Sequence, residues 1–445
     1  MRFLFAALLA SVASAQTTWI VDDNPGPGVH FTSLPAAVAA AASGDTLLVA
    51  PGNYAPFHVS GKALSILGDG HATTVIDGPP INPSSDYVII TAPPVGTTFR
   101  LSGVTIRRSL AGPNRLGISG PGVSTTGTVV LTDVISEPTS VAFGGGAEQG
   151  LGVTNIIVHA SRCVFRGTWF YIPVFSLNAL GFPGARVQTG LFVADACSIY
   201  GGSPSVTGGA QITAGDGLVV FSSTAHLTGC SVSGGSATGS GNTVGGAGLR
   251  VSSSPVRVYG SAANSISGGS VNGSTQPGSG GPGIDAAAGT IVSVFGAITV
   301  AGGTGPSGTA PATTGTGQVQ LGLPRRPVLS LTGSAPTGGD LQATQLVTLA
   351  VDAPSVPSQL FILFVDLAPG YFALPGLSVE PFLLTPSAGI LSVGLLDVAG
   401  QFAVTFVPAT QAPALVNHTF HLQAFAFDPA LGIWLGSNAE VRRIR

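Results

Sequence analysis

Cys163-Val-Phe-Arg-Gly167 aligns with Cys197-Ser-Ile-Tyr-Gly201 and with Cys230-Ser-Val-Ser-Gly234, so one pentapeptide pattern returns after 34 and then 33 residues. The same frame continues through residues 264–268 and 298–302. Each repeat holds short runs with apolar residues at alternate positions, separated by Gly, Asn or Ser turns, and none has helical patterning. Because one unit cannot bury its own apolar side, the units must stack and share a core. The sequence therefore predicts an all-β solenoid of short parallel strands, a parallel β-helix.

The period assigns two interior rows of side chains. The cysteines form one row, and their odd number argues against a set of paired disulfides. With no histidine beside them they make a poor metal site, so we expect buried thiols acting as small apolar groups and no metal. The second row lies two residues further on each strand and consists of Phe165, Ile199, Val232, Ile266 and Val300.

Composition excludes several classes of protein. The 445 residues include 65 Gly and 33 Pro but only 8% charged residues, and mean hydropathy is +0.48, which excludes a disordered polyampholyte. A net charge of −3 without a basic stripe makes nucleic acid an unexpected partner. Gly/Ser/Thr tracts at 234–246, 268–283 and 302–317 are predicted to leave one edge of the coil, either as flexible loops or as a lip over a groove.

The amino terminus has the features of an export signal. Met1-Arg2 precedes an apolar run at 3–10, and Ala13-Ser-Ala15 fits a small-residue cleavage pattern. We expect residues 1–15 to be a signal peptide, with the mature chain secreted, extracellular or held at the cell surface. No later run approaches the roughly 20 apolar residues of a membrane helix, so no membrane span is expected.

Residues 31–54, Phe-Thr-Ser-Leu-Pro-Ala-Ala-Val followed by Ser43-Gly-Asp-Thr-Leu-Leu-Val-Ala-Pro-Gly-Asn-Tyr54, predict a capping helix at about 32–43 and then a first strand. With Leu64-Ser-Ile-Leu-Gly68 this stretch resembles the amino-terminal cap and first coil of secreted right-handed parallel β-helix proteins of the pectin-lyase-like superfamily. The resemblance implies a right-handed coil over 16–324 and a bias towards carbohydrate ligands. It implies no particular activity, since one fold carries many functions.

The final part of the chain has a different pattern. From about residue 327 the glycine tracts stop, and short alternating runs appear at the spacing of a β-sandwich. The segment Asn417-His-Thr-Phe-His-Leu-Gln-Ala-Phe-Ala-Phe-Asp428 resembles part of a carboxy-terminal β-sandwich module of uncharacterised secreted bacterial proteins. We therefore expect a small β-sandwich domain at 327–445.

Four charged residues of the early coils are the candidates for catalysis: Arg107, Asp133, Glu137 and Arg166. In the repeat frame Arg107, Ser136 and Arg166 share a column, and the two carboxylates lie on the coil between the arginines. In a polysaccharide lyase, Ca²⁺ on Asp and Glu oxygens would neutralise an acidic sugar while arginine removes the adjacent proton. The other interpretation is a ladder of opposite charges that fixes strand register. Ca²⁺ is expected only for a lyase, and no other cofactor is expected.

Aromatic residues concentrate at one place on the coil, in Trp169-Phe-Tyr-Ile172 after Arg166. Trp169 and Tyr171, with Arg162 beside them, are candidates for stacking on sugar rings; the alternative is a small core under their own loop. Five histidines are scattered singly and are expected in turns or at the surface: His30, His58, His71, His159 and His226.

Three functions remain open from the sequence. The leading hypothesis is a non-catalytic surface or matrix protein that binds polysaccharide along the solenoid flank, where hydroxyl-rich side chains suit neutral sugars. The second is a polysaccharide lyase or glycoside hydrolase of the pectin-lyase-like superfamily. The third is a structural or adhesin scaffold. Arginines paired with Asp and Glu would favour the scaffold, whereas three carboxylates around one groove position would favour the enzyme.

Overall fold

The computed structural model describes residues 16–77, 87–108, 114–138, 149–172, 178–206, 211–260, 263–273, 278–323, 327–333, 341–366, 369–372, 382–384, 388–411, 419–429 and 433–443. The predicted signal peptide lies outside them. The all-β prediction is confirmed: a parallel β-solenoid carries one short helix at its amino-terminal end and is followed by antiparallel sheets. Within the described ranges, neither helix has the length and hydropathy of a membrane span.

Three faces run along the solenoid, and on each face a strand pairs in parallel with strands of the neighbouring coils. The first face contains β1 (Thr18–Val21), β2 (Thr46–Val49), β5 (Ser65–Gly68), β8 (Thr98–Arg108), β10 (Thr128–Pro138), β12 (Ile157–Ser161), β17 (Leu191–Asp195), β21 (Thr224–Thr228), β26 (Pro255–Gly260), β30 (Ile291–Gly296) and β35 (Gln318–Leu323). The second face contains β3 (Gly52–Tyr54), β6 (Thr74–Ile76), the ends of β8 and β10, β13 (Val164–Arg166), β18 (Ser198–Tyr200), β22 (Ser231–Ser233), β27 (Ser265–Ser267) and β31 (Thr299–Ala301). The third face contains β4 (His58–Ser60), β7 (Val88–Thr91), β9 (Asn114–Ser119), β11 (Gln149–Thr154), β16 (Ala185–Gln188), β20 (Leu218–Phe221), β25 (Leu249–Ser252), β29 (Ile284–Ala286) and β34 (Thr313–Gly315).

The interior rows predicted from the period are confirmed. Phe165 pairs with Ile199 on the next coil, and the row continues in register through Val232 and Ile266 to Val300. The three cysteines are buried and form no disulfide bond. Each thiol donates a hydrogen bond to the carbonyl two residues earlier on its own coil, at 3.3 Å. Burial raises the pKa of Cys163 and Cys230, so these thiols stay protonated.

The capping helix is shorter than predicted: α1 is Leu34–Ala40. Ser33 is its N-cap residue, but its side chain makes no capping hydrogen bond. The carboxy-terminal carbonyls of α1 are instead bound by Lys62, the only lysine of the chain. Its Nζ donates to the carbonyl oxygens of Val38, Ala39 and Ala41 at 2.8–3.2 Å, which satisfies the helix end.

Asp45 joins the cap to the first coil. Its carboxylate accepts hydrogen bonds from the indole of Trp19 at 3.0 Å and from the backbone N–H groups of Thr17 and Ala42 at 2.9 Å. Burial opposes the charge, but these hydrogen bonds and the nearby Lys62 hold the pKa of Asp45 below its usual value. The amino-terminal end of the apolar core is therefore closed by α1 and by one ionised carboxylate.

In their described residues the glycine tracts build a hydrogen-bonded structure with short strands between the second and third faces, and not irregular loops. Successive excursions cross at a line of glycines that we call the glycine neck: Gly202, Gly215, Gly235, Gly246, Gly269, Gly281 and Gly303. From Gly215 onward, the N–H of each glycine in the line donates to the carbonyl of the preceding glycine in the line at 2.7–3.0 Å. These glycines belong alternately to the outgoing and the returning part of an excursion. A Cβ atom at Gly269 would overlap the carbonyl oxygen of Gly235, so only glycine allows this approach.

Beyond the glycine neck the excursions form a side lobe of short strands. Ala179, Ile212, Ala214, Ala237 and Val271 make a small apolar core of their own there. The strands are β14 (Trp169–Ile172), β15 (Asn178–Gly181), β19 (Gln211–Thr213), β23 (Ala237–Thr238), β24 (Thr243–Val244), β28 (Val271–Asn272), β32 (Thr304–Gly305) and β33 (Gly308–Thr309).

The carboxy-terminal antiparallel sheets share a separate apolar core, and the first of their strands begins at Val328. One sheet contains β36 (Val328–Gly333), β37 (Val347–Asp352) and β42 (Gln401–Phe406). The other contains β38 (Leu360–Asp366), β41 (Gly389–Leu395), β43 (Thr419–Asp428) and β44 (Ile433–Arg443), and β39 (Pro369–Phe372) pairs with β40 (Phe382–Leu384); a short helix, α2 (Pro408–Gln411), follows β42. The domain limits 16–324 and 327–445 stay predictions.

Strand β43 is buried on both sides. Phe420, Leu422 and Ala424 point into the carboxy-terminal core, while His421 and Gln423 between them are also fully buried. The second side lies against the first face of the solenoid, where the ring of His421 contacts that of His159 and where β44 contacts β17. The carboxy-terminal sheets therefore dock on the side of the solenoid.

We expect Gly269→Ala to destabilise the protein by about 1–3 kcal/mol or more, because the added methyl group must push two coils apart at the glycine neck. The matched control is Gly26→Ala, where the new Cβ meets no atom within 4 Å. Denaturant midpoints of the two variants check the prediction. Equal midpoints would contradict the close backbone packing of the glycine neck.

Candidate functional site

Two of the candidate residues lie at the corner between the first and second faces. Asp133 and Arg162 both have the left-handed backbone, with φ of 51° and 54°. They occupy the corner position that Gly103 and Gly229 fill on other coils. The guanidinium of Arg162 binds both carboxylate oxygens of Asp133 at 3.1 Å, and the two side chains are only 22% and 10% exposed. This bidentate pair bridges consecutive coils at a strained corner.

The second pair lies one strand further on. Glu137 is the register partner of Arg107, and the guanidinium Nε donates to a carboxylate oxygen of Glu137 at 3.1 Å. The predicted column of Arg107, Ser136 and Arg166 is wrong by one residue at its centre, because Ser136 pairs with Ile106 and Phe165. Ser136 is buried, and its hydroxyl donates to the carbonyl of Gly150.

Both candidate carboxylates therefore already bind an arginine, which is the arrangement expected to favour the scaffold. Among the described residues, no group of three or more His, Cys, Asp or Glu side chains lies close enough to bind a metal ion. Asp133 is nearly buried against Arg162, which leaves little of its carboxylate for a Ca²⁺ ion or a sugar. The arrangement favours register-fixing ion pairs over lyase chemistry.

The remaining candidates surround the aromatic segment. Arg166 is exposed, and its guanidinium lies 4.4 Å from the ring centroid of its register partner Tyr200. Trp169 is half-buried on β14, which pairs with β15 at the base of the side lobe. The backbone of Tyr171 belongs to the same strand, while its side chain lies outside the described part.

From Tyr200 onward the second face presents hydroxyl groups in register. Its outward positions are half-buried or exposed, and the strands β18, β22, β27 and β31 pair in parallel without a register shift. Neighbouring strands are about 4.8 Å apart, so the hydroxyls form two straight rows along the solenoid axis. One row contains Ser198, Ser231, Ser265 and Thr299, and the other contains Tyr200, Ser233 and Ser267.

Several charged residues have structural roles that the sequence pattern does not reveal. Arg115 is fully buried, and its Nε donates to the Ser136 hydroxyl at 3.3 Å. On the third face Arg250 binds Asp216 at 2.8 Å and approaches Asp285 of the next coil at 3.6 Å. A periodic search gives no signal for such pairs, because each depends on which side chains meet across coils.

Two histidines expected in turns or at the surface are buried. His159 and His226 lie on the outward side of the first face and are 3% and 4% exposed. The carboxy-terminal sheets cover this side of the solenoid, with His421 in contact with His159.

No family model matches the chain, and comparison with curated proteins and with solved structures finds no similar protein.

Amide substitutions at Asp133 and Glu137 separate the contributions of the two ion pairs to the free energy of unfolding. We expect Asp133→Asn to cost about 1–3 kcal/mol, because it leaves a mostly buried guanidinium without its charged partner. The matched Glu137→Gln should cost less than about 1 kcal/mol, since Arg107 is 44% exposed and well solvated. Equilibrium denaturation at low and high salt checks both values. A larger cost at Glu137 would contradict the assigned roles.

Proposed function

We propose that this protein is an exported, non-catalytic β-solenoid, secreted or held at the cell surface, that binds an extended polysaccharide along its second face. The observation that carries the proposal is the pair of hydroxyl rows on strands β18, β22, β27 and β31. Uncharged hydroxyls at regular spacing suit the repeated hydroxyl groups of a glycan, and the solenoid suits an extended partner.

One end of the hydroxyl rows carries the groups that would fix a sugar ring. The Tyr200 ring offers a stacking surface, and Arg166 above it adds donors that suit hydroxyl or carboxylate groups. The half-buried Trp169 is close in sequence, at the base of the side lobe. The resemblance of residues 31–54 and 64–68 to pectin-lyase-like proteins supports a right-handed coil and a carbohydrate ligand as parts of the same proposal.

The polysaccharide lyase is the competing enzymatic proposal, and it would need Asp133, Glu137 and an arginine to act on an acidic sugar with Ca²⁺. The ion pairs with Arg162 and Arg107 argue against that use of the carboxylates. The same ion pairs favour a purely structural scaffold, but a scaffold would need neither the hydroxyl rows nor the aromatic group at their end.

The test is retardation of the mature chain, 16–445, in gels that contain neutral or acidic polysaccharides, with Ca²⁺ or with a chelator. We expect retardation by at least one polysaccharide without unsaturated product in the ultraviolet spectrum. Tyr200→Ala should weaken binding about fivefold, since an aromatic contact of this kind contributes on the order of 1 kcal/mol.

Phe221→Ala is the matched control, because Phe221 is an exposed aromatic residue on the third face, 42% accessible. Its binding should equal that of the unchanged protein. Unsaturated product that disappears with chelator would establish the lyase instead. No retardation by any polysaccharide would leave the scaffold as the function.

A further inference from the structure

Three buried histidines lie on the side of the solenoid where the carboxy-terminal sheets dock; we call them the histidine array. His159 on β12 and His226 on β21 are both register partners of Val193 on β17, so they flank it on the outward side of the first face. His421 comes from β43 of the carboxy-terminal sheets and is 0% exposed. Its ring meets the ring of His159 edge-on, with centroids 6.3 Å apart and planes at 82°.

The array is built for neutral imidazoles. Both ring nitrogens of His159 and of His421, and Nε2 of His226, have no hydrogen-bond partner among the described residues. An imidazolium has two N–H groups and a charge to satisfy, and no described residue accepts a hydrogen bond at these nitrogens. The docked arrangement is therefore compatible with the uncharged form of each ring.

The two arginines beside the array oppose added protons. The positive charge of Arg100 on β8 lowers the pKa of His421, and Arg257 on β26 is the register partner of His226. The carboxylates on the packed strands are Asp195, at the end of β17, and Asp366, the cross-strand partner of His421 on β38; both are half-buried. On β44 the side chains of Glu440 and Arg442, beside Val441, lie outside the described part.

Burial lowers the pKa of each imidazole of the array. It lowers the pKa of His159 to about 4 and, with Arg257 and His159 adding repulsion, that of His226 to about 3. The pKa of His421 is lowered well below 6.5 by burial and then by Arg100 and His159. When the sheets leave the solenoid, water reaches the rings and each returns towards about 6.5.

We propose that the histidine array is an acid-operated latch: the carboxy-terminal sheets stay docked on the first face at neutral pH and detach from an intact solenoid when the medium is acidified. Detachment would uncover an apolar strip of the first face, formed by Val130, Leu191 and Val193, which are buried in the docked form. An exported protein would thereby gain a new contact surface only in acidic surroundings.

The sign of the effect follows from proton linkage. The detached form binds protons below about pH 6.5, whereas the docked form binds them only near pH 4 and below, so docking is fully favoured above 6.5 and weakens as the pH falls towards 4. In this window each histidine lowers the equilibrium constant for docking about tenfold for each pH unit of acidification. Three histidines acting together give up to about a thousandfold per unit, a steep transition.

The experiment is a pH titration of the full chain from 7.5 to 4.5 at constant ionic strength. Small-angle scattering follows detachment as an increase in radius of gyration, far-ultraviolet circular dichroism follows the solenoid, and hydrogen exchange follows β12, β17 and β43. We expect expansion and loss of protection at these strands while the β signal is retained. Expansion that coincides with loss of the β signal would be global acid unfolding and would overturn the latch.

The variant that tests the array is His421→Gln, which cannot be charged in this range. In this variant the docking equilibrium constant should change about tenfold less for each pH unit than in the unchanged protein. The midpoint of detachment should move to lower pH. His226→Gln should do the same, and it serves if the first variant fails to fold. His58→Gln is the matched control, since His58 is exposed on the third face and its removal should leave the titration unchanged. A protein that stays docked to pH 4.5, or a transition that neither array variant alters, would refute the proposal.

Discussion

Hydrogen bonding of each coil to the coils before and after it is the constraint on which the rest of this protein depends. Backbone groups in the solenoid wall have no water to bind, so every strand must find its partner one coil away. A shift of one residue would turn every interior side chain outward. The row from Phe165 through Ile199 to Val300 is the result of that fixed register. The glycine neck results from the same constraint, because two backbones there hydrogen-bond at a distance that leaves no room for a side chain.

A chain with 8% charged residues uses several of its charges to hold this register. Lys62 closes the capping helix, Asp45 ties the cap to the first coil, and Asp133 with Arg162 bridges two coils at a left-handed corner. These groups are partly buried, and each has hydrogen-bonded partners that offset the loss of water. Such pairing explains why charged residues that attract attention in the sequence stabilise the coil instead of forming an open catalytic cluster.

The solenoid and the carboxy-terminal sheets depend on one another in a different way. An open sheet face can be solvated, yet the outward side of the first face is apolar at Val130 and Val193, and β43 is buried on both sides. The two parts cover these surfaces mutually. The contact includes His159, His421 and Nε2 of His226, which have no hydrogen-bond partner in the described part of the chain. It therefore combines apolar packing with groups whose charge depends on pH.

The sequence by itself determined the solenoid, its interior rows and the position of its cap, because alternation along a strand and a period between coils are local properties that repeat. It placed Ser136 one position away from its true row, since the coils before Cys163 have no cysteine or glycine marker to fix the alignment. The glycine tracts looked like loops, because composition does not reveal that Gly235 and Gly269 meet across coils. Only the tertiary structure decided that His159 is buried. Its burial depends on β43, a strand far along the chain, and whether a side chain meets water is a property of the whole fold and not of its own segment.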